Sequence, residues 1–356
     1  MNDMSFSHRI RPLGPLRWIF RKLPSFEPWS VIGALSAEDR CLAAGQEVLH
    51  LRSSTDWTLL HIQPELSATN TVLAETRRKI EANRANAQSG AFPPNIKEAG
   101  NLLCAEHDVI NLADELADGC HPNVVLDITT MPKRFFFPLL AVLSGSDRIK
   151  NLIVTNTAPM RYGNVLAEDA DEWKPLPMFD GNVLDEPSEA TLIIGVGYQP
   201  LNVKDLLERY RNLRVDIKLI FPFPSLHPGS IPNWKFVSHI KSEWGDVNRG
   251  GQYTPIEIVR VPTHDVSLAF DRLLQHSMEG KAKTLVLAPF GPKSISLAMC
   301  LLGVARTRSE IDTEIGYTQP SIYLPDYTSG VAEREGFPDV TAYCLRLDGH
   351  DFYRID

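Results

Sequence analysis

The chain lacks the short signatures that announce many enzyme classes. It has no Walker motif, no HExxH, no GxSxG and no EF-hand loop. Disulfide and zinc frameworks are missing too: the five cysteines, Cys41, Cys104, Cys120, Cys300 and Cys344, are scattered, with no CxxC pair. An odd, dispersed set argues for a reducing compartment, and the chain is expected in the cytoplasm. The ten histidines show no ligand spacing, so neither a metal nor another cofactor is expected. No apolar run reaches the roughly 18–20 residues of a membrane span, so no membrane partner is expected. An excess of positive charge is absent as well. The 36 Lys and Arg stand against 44 Asp and Glu, a net charge of -8, which argues against a protein that coats nucleic acid with its whole surface. A local cationic pocket stays compatible with that balance.

What is present has a globular composition: 356 residues, 43% apolar and 22% charged, long enough for two domains with a core each. Residues 1–27 form a basic N-terminal arm. Its stretch Arg9–Lys22 is cut by Pro12 and Pro15 and has no signal-peptide core, and it is expected to dock on the body or fray.

The rest of the chain carries one pattern twice. The run VVLDITTMPK ends at Lys133 and leads into FFPLLAVL, and the run TLVLAPFGPK ends at Lys293 and leads into SLAMCLLGVA. Each is a short β-rich segment, a Pro-Lys turn and an apolar segment of helical spacing. Downstream, T-x-P-x-x-Y occurs from Thr157 to Tyr162 and from Thr318 to Tyr323. Upstream, Ser30–Gly33 matches Leu192–Gly195, and Trp57–Ile62 matches Asp216–Phe221. Four matches in one order at a nearly constant offset predict an internal duplication.

Each half alternates β and α segments, which predicts right-handed βαβ units and a parallel sheet. In the second half the expected strands are 191–196, 217–221, 256–261, 284–288 and 314–317, with helices over 203–210, 234–243, 267–278 and 294–304. The fold class is therefore α/β, as two tandem Rossmann-like domains related by internal pseudo-two-fold duplication. The boundaries are 28–165 and 190–356, joined by an acidic linker over 166–189 that is rich in proline. Residues 340–347 predict a late, antiparallel strand. The charged helix from Val72 to Gln88 is expected outside the repeated framework.

Parallel sheets take ligands beyond the carboxyl ends of their strands, so the candidate site lies on the repeated turns. There a helix N-terminus favours an anion, and Lys133, Arg134 and Lys293 add charge and forked donors. Thr129, Thr130 and Ser294 can donate hydroxyl hydrogen bonds, and Gly291 permits close backbone approach. Thr157, Tyr162, Thr318 and Tyr323 belong to the T-x-P-x-x-Y loops, whose rings can stack on a base or close a sheet edge. Ser36 and Gly197 complete the rim in the loops after the first strand of each half. Equally simple structural roles exist: a proline opening a helix, a solvated lysine. Asp127 ends a strand, but its counterpart is Leu287 or Ala288. His264-Asp265 reads either as a catalytic pair or, more plainly, as a helix N-cap by Asp265, and Cys300 reads as core. No catalytic residue is assigned.

The segment Ala288–Ser294, and more loosely Asp127–Arg134, resembles the strand-turn-helix of the CRISPR-associated Rossmann fold (CARF) sensors. The related SAVED modules fuse two such halves in one chain. This chain has Phe-Gly-Pro-Lys where that family commonly has Gly-rich, Thr-Lys turns. The resemblance implies a sensor that binds a nucleotide or cyclic oligonucleotide at the seam of the two halves, in prokaryotic antiviral or stress signalling. It also implies an effector protein partner or homo-oligomerisation to pass the signal on. Two other classes stay open: a metal-independent phosphodiesterase or ring nuclease acting on such a ligand, and a non-catalytic interaction scaffold.

Overall fold

The computed structural model describes residues 11–23, 27–52, 54–65, 70–163, 165–181, 189–199, 201–211, 214–225, 231–247, 256–279, 284–306 and 312–355. Part of the arm (1–10 and 24–26) and part of the expected linker (182–188) lie outside them. The chain divides into two units. The first comprises Pro12–Asp171 and Gln319–Phe352, and the second Glu172–Thr318 with the segments ending at Arg11 and starting at Tyr353.

The first unit opens with β1 (Leu13–Pro15) and α1 (Leu16–Phe20). It continues through β2 (Trp29–Leu35), a 3-10 turn (Asp39–Leu42), α2 (Ala43–Leu51), β3 (Thr55–Gln63), α3 (Asn70–Gln88) and β4 (Asn95–Asn101). Then come α4 (Glu106–Gly119), β5 (Asn123–Asp127), α5 (Lys133–Gly145), β6 (Asn151–Thr157) and β7 (Pro159–Tyr162). All residues of β2 and β5 are buried, as expected for strands covered on both faces. The apolar stripe of α4, Val109, Ala113 and Ala117, recurs every fourth residue and is buried, the spacing of one helix face.

The second unit begins within β8 (Ala167–Pro175) and continues with β9 (Glu189–Gly195), α6 (Val203–Arg209), β10 (Arg214–Phe223), α7 (Ile231–Val247) and β11 (Glu257–Pro262). It ends with α8 (Val266–Met278), β12 (Thr284–Ala288), α9 (Lys293–Arg306) and most of β13 (Asp312–Tyr323). Back in the first unit the chain forms β14 (Thr328–Val331), the short ribbon β15 (Glu333–Arg334) and β16 (Phe337–Pro338), then β17 (Val340–Leu347) and β18 (His350–Asp351).

The first sheet runs β1-β17-β6-β5-β2-β3-β4 and the second β11-β10-β9-β12-β13-β8. In both, five strands pair in the order 3-2-1-4-5, counted along their own unit, and every registered pair among them is parallel. This is the α/β, Rossmann-like architecture expected from the alternating pattern. Strand order reverses between β2 and β5 in the first unit and between β9 and β12 in the second.

Several expectations need correction. The acidic stretch is not simply linker: β8 lies within it and joins the second sheet beside β13. The C-terminal segment does not stay with the second half. Strand β17 is antiparallel as expected, but it pairs with β6 of the first sheet, with β1 on its other side. Hydrogen bonding along a free sheet edge outweighs proximity in sequence. Helix α3 is not outside the framework; it is the crossover between β3 and β4, and α7 holds the same place in the second unit. The strand expected over 314–317 runs on to Tyr323. The arm does dock, from Arg11 onward: Arg11 pairs with Asp271 at 2.8 Å, and β1 lies on β17.

Candidate functional site

The ends of β2, β5 and β6 form the rim of the first unit at its strand-order reversal. Strand β5 delivers Asp127, which is 2% exposed. One of its oxygens, Oδ1, accepts from the Thr129 N–H at 3.2 Å, the Thr129 hydroxyl at 2.5 Å and the Thr155 hydroxyl at 3.1 Å. Burial nevertheless pushes the Asp127 carboxyl up to about 6, against the pull of those donors and of Arg40. Thr129 also accepts the Thr157 N–H at 2.8 Å, so its hydroxyl stitches β5 to β6. Thr130 donates to the Ala34 carbonyl at 2.9 Å, tying the same loop to β2.

Pro132 stands at the N-cap of α5, with no side-chain capping bond, and Lys133 takes the first helical position. Lys133 is only 6% exposed, and burial pulls its amine down to about 7. Arg134 donates to the Cys104 carbonyl at 2.8 Å. Tyr162 packs edge-on against Tyr327, with ring centres 5.9 Å apart. The Ser36 hydroxyl accepts the Glu38 N–H at 3.2 Å.

That last bond leads to a pair the sequence did not single out. Arg40, 5% exposed, donates to Glu38 through Nε at 3.0 Å and Nη2 at 2.8 Å, and through Nη1 to the Thr157 carbonyl at 2.8 Å. Burial pulls its guanidinium down, but Glu38 and the nearby Tyr162 and Tyr327 outweigh it, so the net shift is upward. Ser-Ala-Glu-Asp-Arg reads as a solvated charged loop. Only the neighbouring strand end, 117 residues away in sequence, makes it an interior ion pair.

The second rim has the same topology and different contents. Phe290 is 5% exposed, with its ring 5.5 Å from Tyr317, 5.8 Å from Phe236 and 6.4 Å from Trp173. A Cβ on Gly197 would collide with the Phe290 carbonyl, and one on Gly195 would lie 3.1 Å from the Gly291 nitrogen. These glycines bring the loop after β9 and the turn after β12 against each other. The Asn233 amide donates to the Gly197 carbonyl at 3.1 Å. Ser294 donates to the Thr263 carbonyl, and Thr318 to the Leu201 carbonyl at 2.5 Å. Tyr323 accepts from the Gln319 amide at 3.2 Å. Because β13 runs straight through its T-x-P-x-x-Y segment, Thr318 falls in the second unit and Tyr323 in the first.

The structure therefore brings Ser36, Thr129, Thr130, Thr157 and Lys133 to one rim, and Gly197, Gly291, Lys293 and Ser294 to the other. Asp265 caps α8, accepting the Leu268 N–H at 2.9 Å, and Cys300 is fully buried. None of the five cysteines forms a disulfide. Among the described residues one cluster has metal-ligand geometry, Glu257, His276 and Glu279. The Lys218 amine lies 2.5 Å from Glu257, 3.2 Å from Asp216 and 3.8 Å from Glu279, so the cluster already holds its cation. A cleft lined by Arg17, Trp18, Glu47 and Phe337 contains none of the expected site residues. Among the described residues no helix is long and apolar enough to cross a membrane.

No family model and no curated protein matches the chain. Among solved structures, a universal stress protein from Archaeoglobus fulgidus DSM 4304 matches at 9% identity with a TM-score of 0.24, over 82% of this chain and 96% of that one. At that TM-score the likeness bears on neither fold nor function, and the fold rests on the strand order itself.

Proposed function

We propose that the rim of the first unit binds a phosphate-bearing ligand of the nucleotide class, cyclic oligonucleotides included, and that the chain acts as a cytoplasmic sensor of it. The observation that carries this reading is Lys133: a nearly buried amine in the first turn of α5, beside the strand-order reversal where sheets of this order take ligands. An incoming phosphate would favour the charged form of the amine that burial disfavours. The resemblance to CARF and SAVED proteins adds the ligand class, prokaryotic antiviral or stress signalling as the setting, and an effector partner or self-association as the output. The shared strand order and the matched Pro-Lys turns support an origin of the two units by tandem duplication.

The test is a thermal-shift screen of mononucleotides, linear dinucleotides and cyclic oligonucleotides, with mass spectrometry of small molecules carried through purification. A nucleotide should raise the melting temperature without being turned over, and Lys133→Met should remove the shift while leaving the chain folded. A panel with no stabilising member, or a shift that survives Lys133→Met, overturns the reading. Chromatographic detection of a cleaved product would replace the sensor with an enzyme.

A further inference from the structure

Glu38 deserves a reason for its place. The guanidinium of Arg40 reaches from the loop after β2 to the Thr157 carbonyl at the end of β6, and β5 lies between these two strands in the sheet. Arg40 thus bridges the strand-order reversal, where a ligand phosphate is expected. Its planar fork suits carboxylate and phosphate alike, and the carboxylate it holds is its own neighbour. The buried Thr157 hydroxyl, on the residue whose carbonyl Arg40 engages, has no hydrogen-bond partner among the described residues.

The same carboxylate has a second duty. Glu38 Oε2, which takes both Arg40 bonds, also accepts the Thr328 hydroxyl, and the adjacent Asp39 accepts the Gly330 N–H at 2.9 Å. Thr328 and Gly330 lie on β14, which pairs with β7 through Thr328 and Tyr162. One side chain therefore covers the arginine and pins a surface ribbon. The Glu38 side chain keeps 16% of its exposure against 7% for Arg40, so the carboxylate is the partner with a way out to water.

Resting on the reading of this rim as a phosphate site, we propose that Glu38 is an intramolecular stand-in for phosphate. It occupies the Arg40 fork and clamps β14, and a phosphate-bearing ligand takes the fork from it, frees Thr328 and loosens the β7–β14 ribbon. Binding energy spent on Arg40 becomes a change in a surface element, which is what a sensor must produce. A pair that served stability alone would still hold β14 but would give it no response to a ligand.

Inorganic pyrophosphate is the probe, with binding measured by calorimetry and amide hydrogen exchange followed at Thr328–Val331. In the wild-type chain, pyrophosphate should speed exchange across this strand. Glu38→Gln should bind it roughly tenfold more tightly, because the fork no longer has to be vacated by a charge. It should also exchange quickly at β14 before any probe is added. Thr328→Val leaves both charges in place and removes one hold on the carboxylate. It should show the same fast exchange and a gain in affinity of roughly threefold. Wild-type binding with no change at Thr328–Val331, or two variants that bind as the wild type does, overturns the displacement while the ligand reading stands. Pyrophosphate bound by none of the three proteins overturns the ligand reading and the displacement with it.

Discussion

The two rims share a strand order and a Pro-Lys turn, yet they are filled in opposite ways. The first is polar: Asp127, Thr129 and Thr130 stitch three strand ends together, and an Arg40–Glu38 pair bridges them. The second is apolar: Phe290 sits among three aromatic rings, and Gly197 lets its loop close on the Phe290 backbone. A parallel sheet leaves unsatisfied backbone and open space where its strand order reverses. One unit fills that space with hydrogen bonds and charge, the other with packing. Polar filling can be exchanged for a ligand's polar groups, whereas packed filling has to be dismantled first. That difference is why the proposed site lies on the first unit.

The comparison can be broken by substitution. Phe290→Ala should have the largest effect, about 3–4 kcal/mol of stability lost in chemical denaturation, because it empties a buried aromatic cluster. Gly197→Ala should follow at about 2–3 kcal/mol, since the new methyl meets backbone that cannot yield as a side chain would. Neither should be softened by any nucleotide if the second rim is packing alone.

The first rim should respond to pH instead. The Lys133 amine is lowered from 10.5 to about 7, so between these values the unfolded chain holds the extra proton and stability rises with pH. That contribution is complete above 10.5 and is lost as pH falls through 7. The Asp127 carboxyl is raised from 3.8 to about 6, so there the folded chain holds the extra proton and stability falls as pH rises across that window. Denaturation midpoints across pH should lose the upper slope in Lys133→Met and the lower slope in Asp127→Asn. The smallest effect belongs to Asp265→Ala, which removes the N-cap of α8 and should cost about 1 kcal/mol, with no pH signature in either window.

Much of the framework was legible from one dimension. The second-half helices begin within three residues of their expected starts, and the strand over Thr284–Ala288 falls where the apolar run placed it. Apolar periodicity and turn residues are local signals, and local hydrogen bonding obeys them. Helix α3 departs from expectation because its charged sequence hides a crossover whose partner strands are set by pairing. The candidate site was legible only in part. Lys133 stands out because its Pro-Lys turn is repeated and Thr129 because it carries a hydroxyl beside that turn, but Glu38 and Arg40 sit in a charged loop with no counterpart to flag them.

The sequence by itself determined the class of fold and the helix start that carries Lys133, because alternation and apolar runs act over short stretches of chain. Tertiary structure alone decided which unit receives β17, which rim is polar and which is packed, and that Arg40 is an interior cation. Those outcomes depend on which strand ends become neighbours. Sheet pairing joins residues more than a hundred positions apart, as Val340 pairs with Thr157, and with it come contacts such as Arg40 to the Thr157 carbonyl; no local pattern records that choice.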